Sequence, residues 1–331
     1  MASWSRIADY WSGMRQPRRS WSRMLLTITI LATSACAADR SGYVVAMPAM
    51  GGGETNAGLY DASATKTANS PAKSRFDAVN LIDPADAVLL IYNHGSRQEF
   101  NPDRCNPASD VPSVVRNLDG RRLGGKQVIV YAFCTPSRVG EYRHESRTGE
   151  PKVVKRARDI EELVGDFTAA GIPSRNIFLV GHSAGAWASL LVARRRNVDF
   201  NSVIAFGPAF AGLKATRSQG WWDLHRKQSA YLRRAPGLNA MIFAFEGDSY
   251  SDISELGSIF SAPGTKFVAV TRTAGKHDDC RKVATHRGAF TKCFEDLAGQ
   301  RISSFIEQRL HDAGFLGASA DKRLSQIGWD W

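Results

Sequence analysis

The feature that most limits the folds open to this chain is an alternation that begins near residue 85. Six short runs rich in apolar and β-branched residues, AVLLIY (87–92), QVIVYAF (127–133), NIFLV (176–180), SVIAF (202–206), AMIFAF (240–245) and KFVAVT (266–271), are separated by longer stretches, with helical character at 154–170, 184–196, 222–234 and 294–313. The runs are nearly continuous in apolar residues, so each asks to be buried on both faces. Strands of that kind interleaved with helices specify a mostly parallel sheet with helices on both faces, an α/β architecture. In such a sheet ligands sit beyond the carboxyl ends of the strands, which directs attention to the residues just after each run.

The most informative of those positions follows NIFLV. Gly181, His182, Ser183, Ala184 and Gly185 have the form G-x-S-x-G, between a strand and a helix. A chain that passes from strand to helix without a loop strains the residue at the turn, and flanking glycines remove the side chains that would clash there. The serine hydroxyl is then held out of the sheet. With YNHGS (92–96) after the first run, FEGD (245–248) after the fifth and His277 after the last, the chain resembles the α/β-hydrolase fold superfamily over residues 85–314, and no particular enzyme within it. The resemblance implies an α/β-hydrolase domain spanning 85–331. About thirty residues separate the fourth and fifth runs, where the superfamily often inserts a cap, so no large cap domain is expected.

Serine is a poor nucleophile until a base removes its proton, and that base needs an orienting carboxylate. The resemblance implies the chain order serine, acid, histidine. Ser183 is then the nucleophile, and Asp248 the acid, with Asp252 and Glu246 as alternatives. The base is His277, in TAGKHDD; His286, in ATHRG, is the alternative and reaches the site only if the intervening segment folds back. His182 reads as a packed residue of the turn. The oxyanion of the acyl-transfer intermediate would be held by the backbone N–H groups of Ala184 and Ser96, with Arg97 as an alternative to Ser96. This chemistry needs no metal or organic cofactor. The activity implied is hydrolysis of a small-molecule ester or acyl substrate through an acyl-enzyme. A peptidase or amidase would use the same residues, and a silent hydrolase-fold protein that binds a ligand is a reading of a different class.

Residues 1–37 have the marks of an export signal. Arg6, Arg15, Arg18, Arg19 and Arg23 precede LLTITILATSA (25–35), a run too short to span a bilayer and suited to the core of a signal peptide. Two endings are open. TSAC (33–36) resembles a lipobox, which would lipidate Cys36 and attach the protein to a membrane, whereas cleavage after Ala37 would discard that cysteine. Either ending implies an exported protein, periplasmic or membrane-anchored. Residues 38–84 are rich in Gly, Ala, Ser and Thr and read as a flexible leader, with an edge strand expected near Val45.

Beyond the signal the chain has four cysteines, Cys105, Cys134, Cys280 and Cys293. An even number in an exported chain, without C-x-x-C spacing, favours disulfides over metal ligation. The order of strands implied by the resemblance pairs Cys105 with Cys134, beside the oxyanion loop, and Cys280 with Cys293, beside the loop of the base. The formal net charge of +11 includes a net +4 from the first 35 residues. The remaining basic clusters, ARRR (193–196) and LRR (232–234), fall at predicted helix ends, where cations offset the helix dipole, and no aromatic-basic motif or zinc finger accompanies them. Nucleic acid is therefore not an expected partner.

Overall fold

The doubly apolar runs become the centre of an eight-stranded sheet in the computed structural model, which describes residues 58–59, 83–96, 107–133, 152–210, 219–234, 237–261, 264–273, 280 and 282–316. The signal segment with Cys36, the Val45 region, Arg97, Cys105, Cys134 and His277 lie outside these residues. The strands are β1 (Gly58–Leu59), β2 (Ala87–Asn93), β3 (Arg122–Leu123), β4 (Lys126–Phe133), β5 (Ile177–His182), β6 (Ser202–Phe206), β7 (Ala240–Phe245) and β8 (Thr265–Val270). Their order is β1-β4-β2-β5-β6-β7-β8, with β3 folded back on β4. All pairings from β4 to β8 along this path are parallel; β1 and β3 pair with β4 antiparallel. An edge strand thus comes from the leader, at Gly58–Leu59.

Seven helices are described: α1 (Pro107–Asp110), α2 (Ser113–Arg116), α3 (Lys152–Ala169), α4 (Ala184–Arg195), α5 (Gln219–Arg233), α6 (Ile253–Ile259) and α7 (Lys292–Leu316). Successive strand side chains point to opposite faces, so each parallel strand feeds two cores. Leu89, Ile91, Leu179, Val203 and Ile242 join the layer that contains α4, while Leu90, Tyr92, Val180, Phe206 and Phe243 join the layer under α7. In the second layer Phe294 of α7 meets the rings of Phe206 and Phe243 edge-on, at 5.6 and 5.1 Å between centroids. Helix α4 is apolar all round, and every residue from Ala184 to Ala193 is buried. Its Trp187 indole N–H donates to Gln228 Oε1 of α5 at 2.8 Å.

This sheet fixes the place of the site. The carboxyl ends of β2, β5, β6 and β7 lie side by side, with Asn93 opposite Gly181, His182 opposite Phe206 and Phe206 opposite Phe243. The residues that follow these ends converge on one edge. Of the stretch between β6 and β7, the described part holds one helix, α5.

Candidate active site

Ser183 stands between the last residue of β5 and the first of α4, at φ 55° and ψ −123°. A serine at positive φ is strained, and the surrounding contacts must hold it there. They are specific. The Ser183 N–H donates to Phe206 O at 3.0 Å, and its carbonyl accepts from the N–H groups of Trp187 and Ala209 at 3.0 and 3.2 Å. The glycines on either side permit the close approach of strand and helix. A Cβ on Gly181 would lie 2.6 Å from Ala186 N, and one on Gly185 would lie 2.2 Å from Asn93 O. Helix α4 therefore starts directly against the end of β2, with Ser183 at the apex and 8% exposed.

The loop after β7 supplies a carboxylate. Asp248 has no exposed side-chain surface. Its Oδ1 accepts from the N–H groups of Tyr250 and Ser251 at 2.7 and 3.3 Å, and its Oδ2 meets His286 Nδ1 at 2.7 Å. A carboxylate at Nδ1 requires the proton there, which leaves Nε2 of the neutral ring as a base. The other two acids are engaged elsewhere: Asp252 caps α6 by accepting from Glu255 N at 2.9 Å, and Glu246 accepts from Arg272 N at 2.7 Å.

The imidazole brought to Asp248 is thus His286, and several contacts show how its segment folds back. Gly247 N–H donates to Ala284 O at 2.7 Å, and Gly247 and Thr285 form a parallel bridge. The Tyr250 ring lies 4.2 Å from that of His286. Cys280 and Cys293 are joined by a disulfide, so that His286 lies inside the closed loop. The cysteine spacing carries the signal that could have singled out this histidine: His286 falls between the paired cysteines, whereas His277 precedes both.

His182 joins these two halves. It is buried at 7% exposure, its Nε2–H donates to His286 O at 2.8 Å, and its ring packs against Phe290 edge-on. Burial, reinforced by repulsion from His286 and Arg287, lowers its pKa to about 3, so His182 is neutral at physiological pH.

On the other side of Ser183 lie the residues after β2. A Cβ on Gly95 would sit 3.1 Å from Ser183 Cβ, so this backbone runs directly past Ser183. The His94 carbonyl accepts from Arg156 Nη1 at 2.7 Å, and His94 Nδ1–H donates to Gly95 O at 2.6 Å. Ser96 is exposed at the end of the described segment. Ala184 opens α4, and its N–H, in the first turn, has no acceptor within the helix. The 94–96 segment thus runs close to Ser183, and His182, the residue before Ser183, meets both Gly95 and the His286–Asp248 pair.

A model of the alpha/beta hydrolase family matches residues 88–300. The chain belongs to the alpha/beta hydrolase family. No curated protein matches it significantly. Similar solved structures include a monoacylglycerol lipase from Paleococcus ferrophilus, at 14% identity and TM-score 0.47, covering 67% of this chain and 94% of that one. The esterase Pf2001 of Pyrococcus furiosus is 12% identical, with TM-score 0.43 and coverage of 69% and 85%. Esterase 2 of Thermogutta terrifontis, with butyrate bound, is 17% identical, with TM-score 0.42 and coverage of 72% and 88%. The family match spans the sheet from β2 to β8 and reaches into α7. It therefore contains Ser183, Asp248 and His286.

Proposed function

We propose that this alpha/beta hydrolase is an exported serine hydrolase that cleaves carboxylic esters of small molecules. The observation that carries the reading is the 2.7 Å contact between His286 Nδ1 and buried Asp248 Oδ2, beside a serine at a strand-to-helix turn. Asp248 orients the ring with its proton on Nδ1, so that Nε2 can accept the proton of Ser183 Oγ as Oγ attacks the ester carbonyl carbon. The negative oxygen that develops is met by the N–H groups of Ala184 and Ser96. Collapse of the tetrahedral species breaks the bond to the alcohol, which leaves with the proton returned by His286. Water, deprotonated by the same Nε2, then attacks the acyl-serine; the acid departs and Ser183 regains its proton.

Export is supported by the arginine-rich, apolar N-terminus and by the Cys280–Cys293 disulfide, a bond that persists in oxidising compartments. Attachment through a lipidated Cys36 belongs to the same reading. The enzymatic part is tested by treating the folded protein with a fluorophosphonate and mapping the adduct. A covalent adduct at Ser183, lost in Ser183→Ala together with turnover of p-nitrophenyl butyrate, is the expected result. An unlabelled Ser183 in folded protein, or full turnover by Ser183→Ala, would overturn the reading.

A further inference from the structure

Helix α3 buries a cation that the proton relay does not use. Arg156 is 1% exposed, and its one hydrogen bond among the described residues is from Nη1 to the His94 carbonyl, at 2.7 Å. Nε and Nη2 are buried without a hydrogen-bond partner among the described residues. Burial lowers its pKa to about 10, partly offset by Asp159, and at that value the guanidinium is still charged at neutral pH. A single bond to a neutral carbonyl is poor compensation for taking a guanidinium out of water; an apolar side chain of similar size would cost the fold less.

What the arginine holds is the start of the loop beside Ser183. In a trans peptide the C=O and N–H point in opposite directions, so fixing one fixes the other. Arg156 fixes the His94 carbonyl and with it the Gly95 N–H. The His94 imidazole, through its 2.6 Å bond to Gly95 O, fixes the next plane and with it the Ser96 N–H. The His94 carbonyl also lies against α4, where a Cβ on Gly185 would come within 2.5 Å of it. Rotation of either plane would turn a carbonyl toward the place where a donor is needed. We propose that Arg156 is a positioning residue for the oxyanion site, locking the His94–Gly95 peptide so that the Gly95 N–H, and through the next peptide plane the Ser96 N–H, stay aimed at the acyl oxygen.

This inference rests on the serine-hydrolase reading and deepens it. The test compares wild type with Arg156→Met, which removes the charge at similar volume, and Arg156→Lys, which keeps a donor. For p-nitrophenyl butyrate, Arg156→Met is expected to lower kcat about 100-fold with KM within about 2-fold. Binding of a trifluoromethyl ketone, whose adduct needs the oxyanion donors, should weaken in parallel, and Arg156→Lys should recover at least part of both. Circular dichroism establishes that the variants fold; should Arg156→Met fail to fold, Arg156→Lys and Arg156→Gln are compared in its place, with the glutamine variant expected to show the larger loss of kcat. Unchanged kcat in a folded Met or Gln variant, or a change confined to KM, overturns the proposal and leaves the serine-hydrolase reading standing. Wild-type protein that neither labels at Ser183 nor turns over ester overturns both.

Discussion

His182 donates from Nε2 to the carbonyl oxygen of His286 at 2.8 Å, and the two rings lie 4.8 Å apart. The residue before the candidate nucleophile thus braces the backbone of the candidate base. The strand-to-helix turn and the loop after β8 are coupled through a side chain that takes no part in the proton relay. The contact places a proton on Nε2, which in the neutral ring leaves Nδ1 bare; that is the nitrogen a Cβ on Gly95 would approach to 3.0 Å.

Acid stability should report this enclosure. Burial lowers the pKa of His182 in the folded protein to about 3 from an ordinary value of 6.5, so as the pH falls the unfolded chain takes up a proton here first. The stabilisation is whole above pH 6.5 and is lost progressively as the pH falls toward 3. His182→Gln cannot titrate and should flatten the fall of unfolding free energy over that window, relative to wild type, in urea titrations. Parallel slopes for the two proteins would count against a buried neutral His182.

The base assignment separates by substitution. His286→Ala should lower kcat/KM for an activated ester by about 10³-fold or more, because it removes the acceptor of the serine proton. His277→Ala should stay within about 3-fold of wild type, since Asp248 already orients His286. Steady-state kinetics on folded variants decide it, and the reverse order would return the role to His277.

The two aspartates near the end of β7 should part in the same way. Asp248→Asn keeps shape but loses the charge that orients His286, and kcat should fall by about 10³- to 10⁴-fold. Asp252→Ala removes the cap of α6 and should cost about 1 kcal/mol of stability while leaving kcat close to wild type. Denaturant melts and kinetics on the two variants give opposite patterns if this division is right.

The parts of this architecture that composition alone reveals are those buried on two sides. The strands β2, β5, β6 and β7 are doubly covered, so their apolar character is continuous and visible in the sequence. The two-residue strands β1 and β3 exist only through pairing with β4, which no local pattern encodes. Helix α6 has seven residues, too few for a periodic face to show. Ser183 and Asp248 directly follow strands and are legible as candidates for that reason. His286 is sixteen residues beyond β8 and enters through a fold-back held by the Gly247–Thr285 bridge and a disulfide, both long-range events. Arg156 is less legible still, because an arginine within a basic helical stretch looks like any solvated residue.

The disulfide should matter more to catalysis than to the sheet. Cys280 and Cys293 close a short loop, with 13 residues of sequence separation, around His286, and Cys293 lies in the first turn of α7. Closing a loop of this length restrains the unfolded chain by about 3 kcal/mol, so Cys280→Ser with Cys293→Ser should lower the unfolding free energy by a similar amount. The effect on kcat follows from what the bridge leaves behind. Without it the His286 segment is still fastened by the Gly247 N–H to Ala284 O bond, by His182 and by Asp248, but Cys280 is no longer tied to the first turn of α7. His286 should then spend less time oriented on Asp248, with kcat down about 10-fold and KM little changed, since the bridge touches no part of the ester. Denaturant melts and steady-state kinetics on the double variant, performed well below its melting temperature, separate the two effects. A loss of stability with kcat intact would make the bridge a purely structural staple and assign the orientation of His286 to Asp248 and His182 alone.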